Sequence, residues 1–167
     1  EPFSPRRGNK VTMYTCGPTV YDYMTIGNLR SYVFSDILKR ALIRAGYTVT
    51  HTINLTDFGH LTDDGDFGED KIMKGLTREG MDINLAAMKD LTDRFIEAVY
   101  ADFEAMHLLA PTIWSRASDY VSQQIKLVKT LEDRGYTYET SDGVYFDISK
   151  FPEYGKLGNI NIGKLKN

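Results

Sequence analysis

The sequence predicts an α/β fold, in which a parallel sheet with flanking helices is followed by a short β-hairpin. Three observations predict it. An alternating apolar stretch at residues 11–15 and a second run rich in Val, Ile, Thr and Tyr at residues 47–55 flank a long amphipathic pattern at residues 28–45. Two strands joined through a helix need a crossover, so they lie parallel, in a right-handed βαβ unit. A second long helical period covers residues 84–107. After Gly135 the period shortens from that of a helix to that of a strand.

Each element has its own signals. Residues 1–10, with two prolines, a glycine and Arg6-Arg7, read as an extended entry segment. The first strand ends at the Gly17-Pro18 turn. In the next helix Leu29, Val33, Ile37, Ala41 and Ala45 recur every fourth residue with Phe34, Leu38 and Leu42 beside them. This predicts a core-facing stripe, with Arg30, Lys39, Arg40 and Arg44 mostly on the other face and Gly46 as the stop. The second strand ends in Asn54-Leu55-Thr56-Asp57. Residues 58–70 read as a polar, acidic loop; their spacing fails an EF-hand, which needs glycine where Glu69 stands. A short helix over residues 71–79 ends at Gly80. The helix over 84–107 carries Leu85, Met88, Leu91, Phe95, Val99, Phe103 and Met106 on one stripe, the mark of a core-facing helix. A third strand is expected within residues 108–114, and Ser118 or Asp119 as the cap of a helix reaching Arg134. Tyr136 to Asp147, turning at Ser141-Asp142-Gly143, read as the hairpin.

Composition excludes several classes. No apolar run approaches the ~20 residues of a membrane span, and no secretory signal is visible. One cysteine makes no internal disulfide, which fits a reducing, cytoplasmic compartment. The net charge of −3 gives no bulk attraction to nucleic acid.

Candidate function gathers on residues 16–30. A strand that stops, a tight turn and a helix that starts leave backbone N–H groups pointing at the loop, at the positive end of the helix dipole, where an anion is welcome. Without a side chain, Gly27 lets a ligand approach the backbone closely. Cys16 and the segment 54–57 both lie at carboxyl ends of parallel strands, where ligands of such sheets bind. Two motifs far apart in sequence are thus expected in one crevice. Spacing alone gives plainer roles: Cys16 as a small buried residue, Thr25 and Asn28 as helix caps, Thr56 and Asp57 as a strand end, Tyr21 and Tyr23 as packing, and His51, His60 and His107 as ordinary polar residues.

The motifs Cys16-Gly17-Pro18-Thr19-Val20-Tyr21-Asp22 and Thr25-Ile26-Gly27-Asn28 together resemble the opening of the class I cysteinyl-tRNA synthetases. Asn54-Leu55-Thr56-Asp57, Gly68-Glu69-Asp70-Lys71-Ile72, Arg116-Ala117-Ser118-Asp119, Gly143-Val144-Tyr145-Phe146-Asp147 and Tyr154-Gly155-Lys156-Leu157 continue the resemblance in the family's order. It implies the first half of a Rossmann-like catalytic domain at residues 1–135 and the start of the connecting insertion at 136–167. It implies ATP with Mg2+ at Gly17, Thr25, Gly27 and Asn28, with Thr25 and Asn28 catalytic. Gly17, Thr19 and Thr56 would bind cysteine, and Cys16 would be one ligand of a zinc ion. The complete enzyme would act on cysteine, ATP and tRNA-Cys. Thr25 stands where the family usually has His, so one charge is missing at that point. The other zinc ligands, a second signature loop and the second half of the fold would lie beyond Asn167, so the chain is expected to be inactive alone and to present an open surface for association. Two other readings are a non-catalytic module binding nucleotide or a partner, and a ligase joining cysteine to an amino sugar.

Overall fold

In a computed structural model, residues 3–59 and 71–160 are described. They form two compact units, one ending at Asp119 and the next beginning at Tyr120.

The first unit carries strands β1 (Lys10–Thr15), β2 (Thr48–Leu55) and β3 (Ile113–Arg116), in the order β1-β2-β3 and parallel throughout. Helix α1 (Ile26–Arg44) connects β1 to β2; α2 (Lys71–Glu79) and α3 (Leu85–Ala105) lie between β2 and β3. The predicted parallel βαβ unit is present, with Val11 opposite Val49 and Thr15 opposite Ile53. The third strand starts at Ile113, inside the expected residues 108–114, and runs on to Arg116; Pro111, which has no N–H for a ladder, stands before it.

The core is built from β2 and α3. Ile53 and Leu55 pack with Leu91, Phe95, Ile96, Val99 and Phe103, and with Ile72 and Leu76 of α2. The ring of Trp114 meets Phe103 edge-on at 5.0 Å. The predicted stripe of α3 is therefore buried, except at its ends, where Leu85 and Met106 are exposed. Asn84 caps α3 by accepting from the Ala87 N–H at 2.9 Å.

Helix α1 overturns an expectation. Its apolar stripe does not face the core: Phe34 is 72% and Ile37 61% exposed, and Leu38 and Ile43 are exposed as well. The buried residues are Tyr32, Ser35 and Lys39. The reason lies in the sheet beneath. The Thr15 hydroxyl donates to Ser35 Oγ at 3.2 Å, and Lys39 Nζ donates to the Ala110 carbonyl at 2.6 Å. Polar partners on the sheet side thus draw in the polar face, and burial lowers the Lys39 pKa.

His51 is buried in the same place. Its Nε2 lies 2.9 Å from Thr15 Oγ1. The Thr15 proton is directed to Ser35, so Nε2–H is the donor and Nδ1 is left as a buried acceptor without a partner among the described residues. Burial, and then the Lys39 charge, push the His51 pKa below the ordinary 6.5, against the weaker pull of Asp36. A lowered histidine pKa favours the neutral ring in the folded state, so this stability is whole above pH about 6.5 and is lost as pH falls through the folded pKa. The urea midpoint should drop between about pH 7 and pH 5, and His51→Gln should shallow that drop; equal slopes would contradict the assignment.

The second unit holds α4 (Val121–Asp133) and strands β4 (Thr137–Thr140) and β5 (Gly143–Phe146), paired antiparallel as the predicted hairpin. Helix α4 falls in this unit, while the family resemblance implies a first half that reaches residue 135. Neither Ser118 nor Asp119 caps it: a 3-10 turn at Ala117–Tyr120 precedes it, and its N-cap Tyr120 makes no side-chain cap bond.

Candidate active site

The site is assembled where β1 and β2 end. The Gly17 N–H donates to Asn54 Oδ1 at 2.7 Å, and the Tyr14 hydroxyl donates to the same oxygen at 2.8 Å. Two residues further on, Thr19 and Thr56 form a parallel bridge: the Val20 N–H donates to the Thr56 carbonyl at 3.1 Å, and the Thr56 N–H to the Pro18 carbonyl at 3.0 Å. The loop after Cys16 thus extends the sheet ladder beyond β2. The two motifs expected in one crevice are joined by backbone hydrogen bonds.

The chain then turns into α1 through a reciprocal cap. Thr25 is the N-cap; its N–H donates to Asn28 Oδ1 at 2.9 Å, and its hydroxyl reaches the same oxygen at 2.8 Å. The Asn28 N–H points back at Thr25 Oγ1 at 3.4 Å. This meets part of the donor deficit of the helix start. The N–H groups of Ile26 and Gly27 have no partner among the described residues. An alanine Cβ at Gly27 would meet only Thr25 Oγ1, at 3.5 Å, so the space above the backbone is open.

A cavity of about 210 Å³ lies against this turn, lined among others by Thr19, Asp22, Thr25, Asn28 and Lys71. Three expected site residues therefore share one pocket: Thr19, Thr25 and Asn28. Gly17, Gly27 and Thr56 frame it through the backbone without lining it. Cys16 departs from the buried role that spacing suggests, for it is exposed. No three of His, Cys, Asp and Glu group together among the described residues, so these residues by themselves do not fit a zinc ion. Tyr32 lies close to Cys16. Its phenol is held above its ordinary pKa by burial and, next, by the Cys16 charge.

Asp57 turns away from the pocket. Its carboxylate is buried, accepting from Arg116 Nε at 3.0 Å, from the Ser118 N–H at 2.9 Å and from the Ser118 hydroxyl at 2.6 Å. Arg116 also reaches Asp93 at 2.6 Å, and Lys89 pairs with Asp93. With that cluster, the strand-end reading of Asp57 stands. Tyr23 meets Phe95 edge-on at 5.1 Å while its exposed side also lines the pocket. His60 and residues 61–70 lie outside the described residues.

Sequence reasoning missed α2 as a wall of the site. Arg78 pairs with Asp22 at 2.6 Å and donates to the Tyr21 carbonyl at 2.9 Å, while Lys71 lines the cavity. The available signal was Lys71 and Arg78 two turns apart, with Gly75 between them.

Residues 2–167 match the family model described as tRNA synthetases class I (C) catalytic domain. The chain belongs to this family. It is 50% identical over 165 residues to cysteine–tRNA ligase 1 of Burkholderia lata, covering 99% of this chain and 34% of that protein. It is 44% identical to cysteine–tRNA ligase of Treponema denticola, over 99% of this chain and 33% of that protein. The synthetase chain thus spans about a third of the length of these relatives. In solved structures its fold is like that of a putative arginyl-tRNA synthetase from Campylobacter jejuni, with a TM-score of 0.61 at 12% identity, over 89% of this chain and 40% of that one. At that identity the likeness shows the shared synthetase fold. Among the described residues no helix is long and apolar enough to cross a membrane.

Proposed function

We propose that this chain is the nucleotide-binding part of a cysteine–tRNA ligase. The complete enzyme would activate cysteine with ATP and pass it to tRNA-Cys. The observation that carries this reading is the pocket where Thr19, tied to Thr56, meets the Thr25–Asn28 turn, in a chain whose relatives are named cysteine–tRNA ligase. ATP, accompanied by Mg2+, lies with its phosphates over the Ile26 and Gly27 N–H groups. Gly17, Thr19 and Thr56 face the amino acid. The cysteine carboxylate attacks the α-phosphorus, its bond to the pyrophosphate leaving group breaks, and cysteinyl-adenylate forms. The cysteinyl group then goes to the terminal ribose of the tRNA. The backbone N–H groups act by holding charge that develops on phosphate oxygens, and Thr25 and Asn28 act by fixing those groups in place. Zinc at Cys16 needs donors from outside the described residues. This reading places the chain in the cytoplasm, a reducing compartment in which its single cysteine stays a thiol.

The exposed row Phe34, Ile37, Leu38 on α1 and, separately, the edge of β1 that no described strand pairs support association with a further segment of a longer chain. A non-catalytic module would use the same face, which keeps that reading as the alternative.

Titrating ATP into the chain while following backbone amide signals by NMR tests the nucleotide site. The largest shifts should fall on Ile26, Gly27 and Asn28. Shifts confined to other residues, or none at millimolar ATP, would overturn it.

A further inference from the structure

Helix α2 brings one face to the loop that precedes α1. Lys71, Gly75 and Arg78 follow one another along that face, one turn apart. Gly75 sets the distance. A Cβ there would stand 3.2 Å from the Tyr21 carbonyl oxygen and 2.9 Å from Leu91 Cδ2, so a side chain at this position would press on loop and core together. Arg78 locks the approach. It donates to the Tyr21 carbonyl at 2.9 Å and pairs with Asp22 at 2.6 Å. Asp22 is the carboxylate that lines the pocket, so α2 itself offsets the negative charge there. At the other end of the face, Lys71 lines the same pocket beside Thr25 and Asn28. Thr25 adds no charge, and its hydroxyl is engaged within the cap by Asn28 Oδ1 at 2.8 Å.

The pocket thus has uncharged donors on the α1 side and a lysine on the α2 side, while a triphosphate carries several negative charges. We propose that Lys71 is the cation that binds the phosphates of the nucleotide at this site, the charge that Thr25 does not provide. The inference rests on the nucleotide reading above. Lysine suits the task, since a flexible ammonium can follow phosphate oxygens as a point charge.

Two ligands separate charge from shape: ATP, and adenosine, which has no phosphate. Each is titrated into the parent chain, Lys71→Met and Lys71→Arg, with urea midpoints checking the fold. Lys71→Met should weaken ATP by about tenfold or more, the scale of one hydrogen bond to a charged group, and leave adenosine binding unchanged. Lys71→Arg should keep most of the ATP affinity. Equal ATP affinity in the parent and Lys71→Met would overturn the role of Lys71 and leave the nucleotide site standing. Equal weakening of ATP and adenosine would assign Lys71 to pocket shape and also overturn the proposal. If the parent chain binds neither ligand, the nucleotide reading fails and Lys71 fails with it.

Discussion

Gly17→Ala should lower the unfolding free energy by at least about 3 kcal/mol or abolish folding, the upper range for overpacking at a buried contact. The cause is space. An alanine Cβ at Gly17 would sit 1.6 Å from the Asn54 carbonyl oxygen, 2.7 Å from its carbon and 2.9 Å from Ile53 Cγ2. Two of these atoms are backbone of β2, where Asn54 is held in register with Ser115 of β3. The central strand cannot yield without breaking that pairing. The loop cannot yield without giving up the 2.7 Å bond from the Gly17 N–H to Asn54 Oδ1. Gly27→Ala is the control, because its Cβ meets only the Thr25 hydroxyl at 3.5 Å. That variant should keep the parent's urea midpoint to within about 0.5 kcal/mol of stability. A Gly17→Ala chain as stable as the parent would show that the loop is not fixed on β2 as described.

This contrast separates two glycines that the sequence presents alike. Both lie in the motif at residues 16–30, and the family resemblance gives both to the ligand. Gly17 is required by the fold, since it lets the loop cross the end of β2. Gly27 is not required by the fold, since a Cβ there would meet only Thr25 Oγ1; in the proposed function its missing side chain serves ligand access.

The strands, the hairpin and α3 were legible because their patterns reflect burial within the chain itself. Leu91, Phe95, Val99 and Phe103 repeat as a helix does and pack where that repeat puts them. Helix α1 has an equally clear stripe, yet Phe34 and Ile37 are exposed and Lys39 is buried. Periodicity reports that a face is apolar. It does not report which surface covers it, and here no described residue covers the row. Ser118 misled for a related reason. A serine before a helical pattern reads as a cap, but Asp57, distant in sequence, takes both its N–H and its hydroxyl. The candidate site was legible where neighbouring residues build it, as in the Thr25–Asn28 cap. Lys71 escaped because it reaches the pocket through tertiary packing of α2 at Gly75.

In the proposed function this chain holds one side of an adenylation site and a further segment of the ligase holds the other. Removing a single well-placed donor from such a site costs about 3–4 kcal/mol, a factor of 10² to 10³ in rate, and losses of groups that act as a unit do not simply add. The most direct measurement is cysteine-dependent exchange of labelled pyrophosphate into ATP. It is run with this chain alone, with the part of the Burkholderia lata ligase that this chain does not match, and with the two together. On the proposed function, neither piece shows exchange above background and the mixture shows clear exchange, abolished by Phe34→Asp on the exposed face of α1. Exchange by the isolated chain would contradict it.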